Sequence, residues 1–269
     1  MNYYVLDREL PIRLLFFVSI FAGMAIWEYV APKRSNLTSK SARWFRNLCV
    51  AIIDSAALRV LAPATAVTAA SYATVHKWGL FNNIELSGLP ILILGLGALD
   101  AAIYFQHVMF HAVPLFWRLH KVHHTDLDFD VTTGVRFHPL EVMLSMGIKI
   151  GVVVFLGVPV PAVLLFEILL NGTSMFNHGN VAMPLSSDRW LRLFVVTPDM
   201  HRVHHSVIIR ETNSNFGFNF PWWDRLFGTY RAQPVAGHDR IVIGIARYRD
   251  PQYLTLVRLL ILPFLPEPK

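Results

Sequence analysis

The chain has 269 residues, 54% of them hydrophobic and only 16% charged, with a mean hydropathy of +0.43. A soluble domain carries about 25% charge, so an ordinary soluble globule is excluded, and the aromatic content excludes a disordered chain. The formal charge of +6 admits nucleic acid, but on so apolar a chain basic residues mark the cytoplasmic loops of a membrane protein, and no nucleic-acid partner is expected.

Asp7, Arg8, Glu9 and Arg13 precede the first apolar run and no small-residue cleavage site follows it, so it reads as a retained span rather than a signal peptide. That span is Leu14 to Val30. Asn47 to Ala73 is a second, carrying Asp54 and Arg59, and Leu89 to Phe105 is a third. The apolar stretch from Val142 to Met175 is too long for one crossing of about 20 residues. Val158-Pro159-Val160-Pro161 divides it into arms Val142–Gly157 and Ala162–Met175, which read as a short hairpin that does not fully cross. The expected fold is all-α: an integral membrane protein of about four transmembrane helices, one pair being the hairpin, in a single domain over 1–269. Lys33, Arg34, Lys40, Arg43 and Arg46 lie between the first two spans without an acidic residue. The positive-inside rule makes that loop cytoplasmic, and the returns after the third span and after the hairpin then fall on the same side. The chain-terminal LPEPK carries no ER-type retrieval signal, which favours a bacterial inner membrane over the ER.

Ten of the twelve histidines lie between His107 and His205, and each of their motifs follows one of those cytoplasmic returns. His107 and His111 are spaced i, i+4 and share one helix face. From Leu89, 18 residues at 1.5 Å bring His107 to about 27 Å, near the edge of a hydrocarbon core about 30 Å thick. Asp100 and Tyr104 precede the pair on that face. A carboxylate within a span is a functional candidate by default, and Asp100 is expected to accept an imidazole N–H and fix the tautomer that binds metal. HKVHH supplies His120, His123 and His124, HRVHH supplies His201, His204 and His205, and His178 ends the hairpin. Nine imidazoles exceed the four ligands of one zinc and suit two ions with four or five nitrogens each. Fe, Cu, Zn and Ni all accept imidazole. Neither Glu-x-x-His nor HExxH occurs, against a carboxylate-bridged di-iron site and a zincin protease. His76, His238 and the single cysteine, Cys49, read as structural; one cysteine excludes a disulfide framework or thiolate cluster. His138, Glu141 and Asp199 are candidates to support the ligands from behind.

The ordered segments DAAIYFQHVMFH, PLFWRLHKVHHTD, TTGVRFHPLE, FNHGNVAMP, TPDMHRVHHS and NSNFGFNFPWWDRLFGTY resemble the fatty acid hydroxylase superfamily, also called the sterol desaturase family, over about residues 100–230. The resemblance implies a membrane oxidoreductase whose two iron ions (zinc in some purified preparations) and O₂ hydroxylate or desaturate a lipid: a fatty acyl chain, sterol, sphingoid base or related isoprenoid. It implies ligands His107, His111, His120, His123, His124, His178, His201, His204 and His205, in a cytoplasmic helical cap. Ala182 stands where some members have a further histidine four residues after His178, and Asn180 is the neighbouring stand-in. Asp100, Tyr104 and Asn180 are thus the supporting residues.

Electrons must come from outside, because the chain has no dinucleotide fingerprint, haem attachment site or iron–sulfur cysteine set. A ferredoxin or cytochrome b5-like donor with its reductase is expected, and Arg118, Lys121, Arg202 and Arg210 are candidates for its docking face. Asn213 to Tyr230 holds seven aromatic residues and reads as a cap bracing the last histidine helix. Tyr253 to Leu265, cut by Pro263, reads as an interfacial anchor. The rivals are a zinc-dependent membrane hydrolase, a non-catalytic metal or lipid binder, and a metal transporter.

Overall fold

The apolar runs form long helices in a computed structural model of the chain, which describes residues 2–61 and 64–268. In chain order these are α1 (Asn2–Val30), α2 (Lys40–Leu61), α3 (Ala66–Val75), α4 (Leu89–Ala112), α5 (Pro114–His124), α6 (Pro139–Leu156), α7 (Val160–Asn177), α8 (Leu185–Leu191) and α9 (Pro198–His204), followed by short turns of helix. Among the described residues there are two isolated β-bridges, Pro32 with Val181 and Ser206 with Ile243, and no strand. Among the described residues, five stretches are long and apolar enough to cross a membrane: 9–30, 40–83 (which takes in α2 and α3), 89–112, 139–156 and 160–177.

Two expected boundaries shift. The second span is not one helix from Asn47 to Ala73. It begins at Lys40, and a new helix starts after Thr65, whose hydroxyl accepts from Thr68 N while the Thr68 hydroxyl accepts from Thr65 N. That reciprocal capping box starts a helix. Both hairpin arms are longer than expected, at 18 residues each, or about 27 Å. The cause is proline at the first turn of each, where its missing N–H costs nothing; His138 caps α6 through Leu140 N. Gly157 ends α6 in a left-handed conformation with φ of 69°, open to glycine without steric cost.

The bundle is polar inside and apolar outside. Leu15, Val18, Ile26, Val60 and Phe155 face outward, Phe155 with 78% of its surface exposed, while Glu28, Arg43, Asp54, Asp100, Lys149 and Glu167 are buried. A narrow seam of Val67, Leu99, Ile103, Val153, Val163 and Phe166 packs the helices together. This arrangement suits a lipid solvent, where apolar surface outside is free of cost and buried charges pair.

Because successive long helices run in opposite directions, the C-terminal ends of α1, α4 and α7 meet the N-terminal ends of α2 and α6. Buried hydrogen bonds stitch that end. Glu28 accepts from Val131 N and Asn180 N at 2.7 and 2.9 Å, and Asp128 accepts from Leu37 N and Thr38 N at 2.8 and 2.9 Å. Arg43 pairs with Asp126 and Asp130, and Asn47 bonds Thr132. Burial alone would raise the Asp126 carboxyl; Arg43 and Arg136 overcome it and hold it below its ordinary range. The connection from α5 to α6 is thereby a fixed wall. The segment 251–264 is a plug of short helical turns rather than a surface anchor alone, since Leu259 and Leu262 bury against Val50, Val122 and Tyr248.

Candidate metal centre

Nine histidines converge at the stitched end, in two groups whose ring nitrogens lie within 4.8 Å of one another: His107, His111, His120, His124 and His204, and His123, His178, His201 and His205. Helix geometry explains the division. On α5, His120 and His124 (i, i+4) share one face and join the five-residue group, while His123 (i+3) turns to the other. On α9 the allotment reverses: His201 and His205 serve the four-residue group, and His204 the five. The two HxxHH helices thus each contribute to both groups, with their pairs exchanged.

In six of the nine rings the nitrogen facing away from the groups is hydrogen-bonded. Nδ1 of His107 donates to Phe216 O at 2.8 Å, that of His204 to Ser214 O at 2.8 Å, that of His123 to Arg136 O at 3.1 Å and that of His178 to Ser174 O at 2.7 Å. His111 Nδ1 donates to Asn213 Oδ1 at 3.2 Å, and His120 Nδ1 to Glu141 Oε1 at 2.6 Å. A carbonyl only accepts, so the proton sits on Nδ1 and the Nε2 lone pair points inward. Nε2 of His107, His111, His120 and His204 is buried with no protein partner. In the four-residue group, His178 Nε2 lies 3.1 Å from His123 Nε2, 3.1 Å from His201 Nε2 and 3.2 Å from His205 Nε2. His178 and His123 have both spent their protons on carbonyls, so their facing lone pairs cannot hydrogen-bond one another. A cation about 2 Å from each nitrogen places neighbouring nitrogens roughly 3 Å apart, which is this spacing. The donor set therefore fits metal ions.

Burial keeps the rings neutral. It pushes His120 and His178 down to about 3, and His123, His124, His201, His204 and His205 well below the usual imidazole range, with neighbouring histidines adding to the effect. Neutral imidazole is the ligand form. Aromatic rings hold the outer faces: Phe137 stacks on His123 at 4.5 Å, and Trp117 lies 5.0 Å from His111. Gly134 permits close approach, because a Cβ there would sit 2.5 Å from Ser174 O, the acceptor for His178.

The supporting candidates distribute unequally. Glu141 does back a histidine. Asp100 does not: its two oxygens accept from Asn219 Nδ2 and Trp223 Nε1, both at 2.8 Å, because the aromatic cap folds over α4 and reaches the carboxylate first. Tyr104 bonds Thr229 of the same cap at 2.9 Å. Asn180 turns toward the first loop, accepting from Arg34 N at 3.0 Å and donating to Arg34 O at 2.8 Å. Ala182 is exposed, and its N–H bonds Ala31 O. His138 uses both ring nitrogens on backbone, Leu140 N and Leu260 O. Asp199 pairs with Arg202 and lies 3.8 Å from His238; burial would raise its carboxyl, and the Arg202 guanidinium above all holds it low. The expected basic docking face is only half present, since Lys121 and Arg202 are buried on Tyr248 and Asp199, leaving Arg118 and Arg210 exposed.

The cap over 213–230 braces the centre as the sequence implied. Ser214 and Phe216 supply carbonyls, Asn213 an amide, and Asp224 holds the loop by accepting from Phe216 N and Gly217 N at 2.7 and 2.8 Å. The acceptors Arg136 O, Ser174 O, Ser214 O and Phe216 O were invisible in the sequence, because every residue has a carbonyl. Asn213, beside the aromatic cap, was the one such partner with a side-chain signal. A cavity of about 290 Å³ opens among α1, α2, α4, α6 and α7 and reaches His107 and His120.

Residues 92–229, about half the chain, match the family model for fatty acid hydroxylase. An ornithine lipid hydroxylase of Rhizobium tropici is 25% identical over 223 residues, 81% of this chain and 66% of that protein. An alkylglycerol monooxygenase of Xenopus tropicalis is 30% identical over 248 residues, 86% of this chain and 48% of that protein. A methylsterol monooxygenase 1 of Gallus gallus is 32% identical over 133 residues, 48% of this chain and 42% of that protein. The chain thus spans under two thirds of each of these relatives. No solved structure matches it.

Proposed function

The chain belongs to the fatty acid hydroxylase family, and on that premise we propose that it is an O₂-dependent oxidoreductase that hydroxylates or desaturates a membrane lipid at a two-iron centre. The observation that carries this reading is the pair of histidine clusters, five and four ring nitrogens, with six of the nine Nδ1 atoms tied to carbonyls, an amide and a carboxylate behind. His107, His111, His120, His124 and His204 hold one ion, and His123, His178, His201 and His205 the other. When bound, the irons supply activation of O₂ and the oxidising power that breaks an unactivated C–H bond. The chain's own residues fix ligand tautomers, keep the imidazoles neutral, exclude water behind the cap and admit a lipid through the cavity at His107 and His120. The names of the relatives, acting on ornithine lipid, alkylglycerol and methylsterol, support a membrane lipid as substrate. The chain acts as a single domain over 1–269, in the bacterial inner membrane, with the centre facing the cytoplasm by the charge of the first loop, where a separate ferredoxin or cytochrome-type donor delivers electrons.

The test is untargeted lipid mass spectrometry on a host expressing the chain, against the same host expressing the His123→Ala/His204→Ala variant. The expected result is a lipid that gains one oxygen, or loses two hydrogens, only with intact histidines, from protein carrying two irons. Zinc in place of iron, with a lipid cleaved without O₂ uptake, would overturn the oxygenase reading in favour of hydrolysis.

A further inference from the structure

The cavity beside His107 and His120 is unusual in its polar wall. Its cations are already neutralised: Arg13 pairs with Glu9 and Glu167, and Lys149 with Glu167, each at 2.8 Å. Three acceptors on the same wall are not. Asp54 Oδ1 from α2, Gln106 Oε1 from α4 and Glu141 Oε2 from α6 are buried without a hydrogen-bond partner. Their residues are 6, 9 and 3% exposed. The rest of each group points the same way: Gln106 Nε2 is spent on Ser145 Oγ at 3.0 Å, and Glu141 Oε1 on His120. What remains free on Gln106 is an amide oxygen, which only accepts, and on Asp54 and Glu141 one carboxyl oxygen each. A buried acceptor without a donor costs about 1–3 kcal/mol, more when charged, and such groups normally find a partner. The wall is therefore complementary to a molecule bringing donors.

We propose that the lipid substrate binds with a hydrogen-bond-donating group, a hydroxyl or an ammonium, on Asp54, Gln106 and Glu141. Glu141 is itself bonded to His120 and Gln106 adjoins His107 in the chain, so that polar group sits at the metal end of the cavity. The inference rests on reading the histidines as a metal centre. It narrows the substrate to lipids carrying a hydroxyl or amine near the carbon attacked, and it disfavours a plain carboxylate, which has no donor for the Gln106 amide oxygen.

Photo-crosslinking of the full chain in phosphatidylcholine nanodiscs tests this without requiring turnover. Three probes of equal chain length carry a diazirine beside a terminal diol, a primary amine or a carboxylate. Satisfying a buried acceptor that is otherwise unpaired is worth roughly tenfold in affinity. The diol or the amine should therefore label residues 106–110 and 141–146 at least about tenfold more than the acid, and whichever does identifies the donor. Asp54→Leu and Gln106→Leu, each removing an unpaired acceptor, should each bring that ratio toward one while the bound metal stays at the wild-type level. Equal labelling by all three probes, or a preference that survives in both variants, would overturn the proposal. A wild-type chain that shows the preference but binds no metal would instead sink the oxygenase reading and leave the donor site standing.

Discussion

The two histidine groups differ in how they are built, although α5 and α9 serve both. The four-residue group is fully buried and gathers around His178, whose Nε2 lies within 3.2 Å of three other ring nitrogens. The five-residue group has a half-buried member, His111, held by a side-chain amide rather than by backbone, and it alone adjoins the cavity. One group takes its hydrogen bonds from main chain alone, behind His123 and His178, and the other opens onto the cavity and adds two side-chain acceptors, Asn213 and Glu141, to the carbonyls behind His107 and His204. Main-chain acceptors cannot be mutated away, so the enclosed group depends on packing, and the open one on packing and on two side chains besides.

The sharpest way to break this contrast is His178→Ala. It removes the hub of the enclosed group, so bound metal should fall from two ions to one per chain, and lipid oxidation should vanish with it; metal analysis of purified protein checks both. His111→Ala should leave the enclosed ion in place and weaken only the other. Next comes Glu141→Leu, which frees His120 Nδ1. Loss of such a partner typically costs 10–100-fold in metal affinity, so a chelator titration should show one site weakened by about that much and the enclosed site unchanged. Gly134→Ala works through packing. Its Cβ would meet Ser174 O at 2.5 Å, displacing the acceptor for His178, and chelator titration should show the enclosed ion released first.

Acidity should act on both groups alike in metal-free protein. His120 and His178 are pushed down to about 3 in the fold from about 6.5 in the unfolded chain. The unfolded chain therefore binds more protons between these values, and stability falls as pH drops. The contribution is complete above about 6.5 and is lost progressively toward about 3, at about 1.4 kcal/mol per buried histidine per pH unit. Melting curves of chelated protein at pH 7.5 and 5.5 should show it, and saturating metal should blunt it. The smallest effect on metal belongs to Asp100→Leu, whose carboxylate bonds the cap and no histidine. It strands the buried Asn219 N–H at about 1–3 kcal/mol and the half-buried Trp223 N–H at less, lowering the melting temperature while leaving metal content unchanged.

The sequence by itself determined the all-α membrane character, the set of nine histidines and the family, because each rests on local or compositional regularities. Apolar run length sets a span, and i, i+3, i+4 spacing puts imidazoles on one arc of a helix. Even the bracing role of 213–230 was legible, from its density of aromatics and its Asn, Asp and Gly residues. Tertiary structure alone decided the rest. Spacing places His120, His123 and His124 on one arc, but whether an arc serves one ion or two depends on which helix faces it, and the exchange between α5 and α9 has no trace in HKVHH and HRVHH. Asp100 lay at the expected helical spacing from His107, yet Trp223 and Asn219, more than a hundred residues away, claim it. Glu141 serves His120 because a buried arginine-carboxylate network folds the α5–α6 connection back on itself. A ligand face is a property of one helix and can be read from the chain; a hydrogen-bond partner is a property of two surfaces in contact, and packing chooses it.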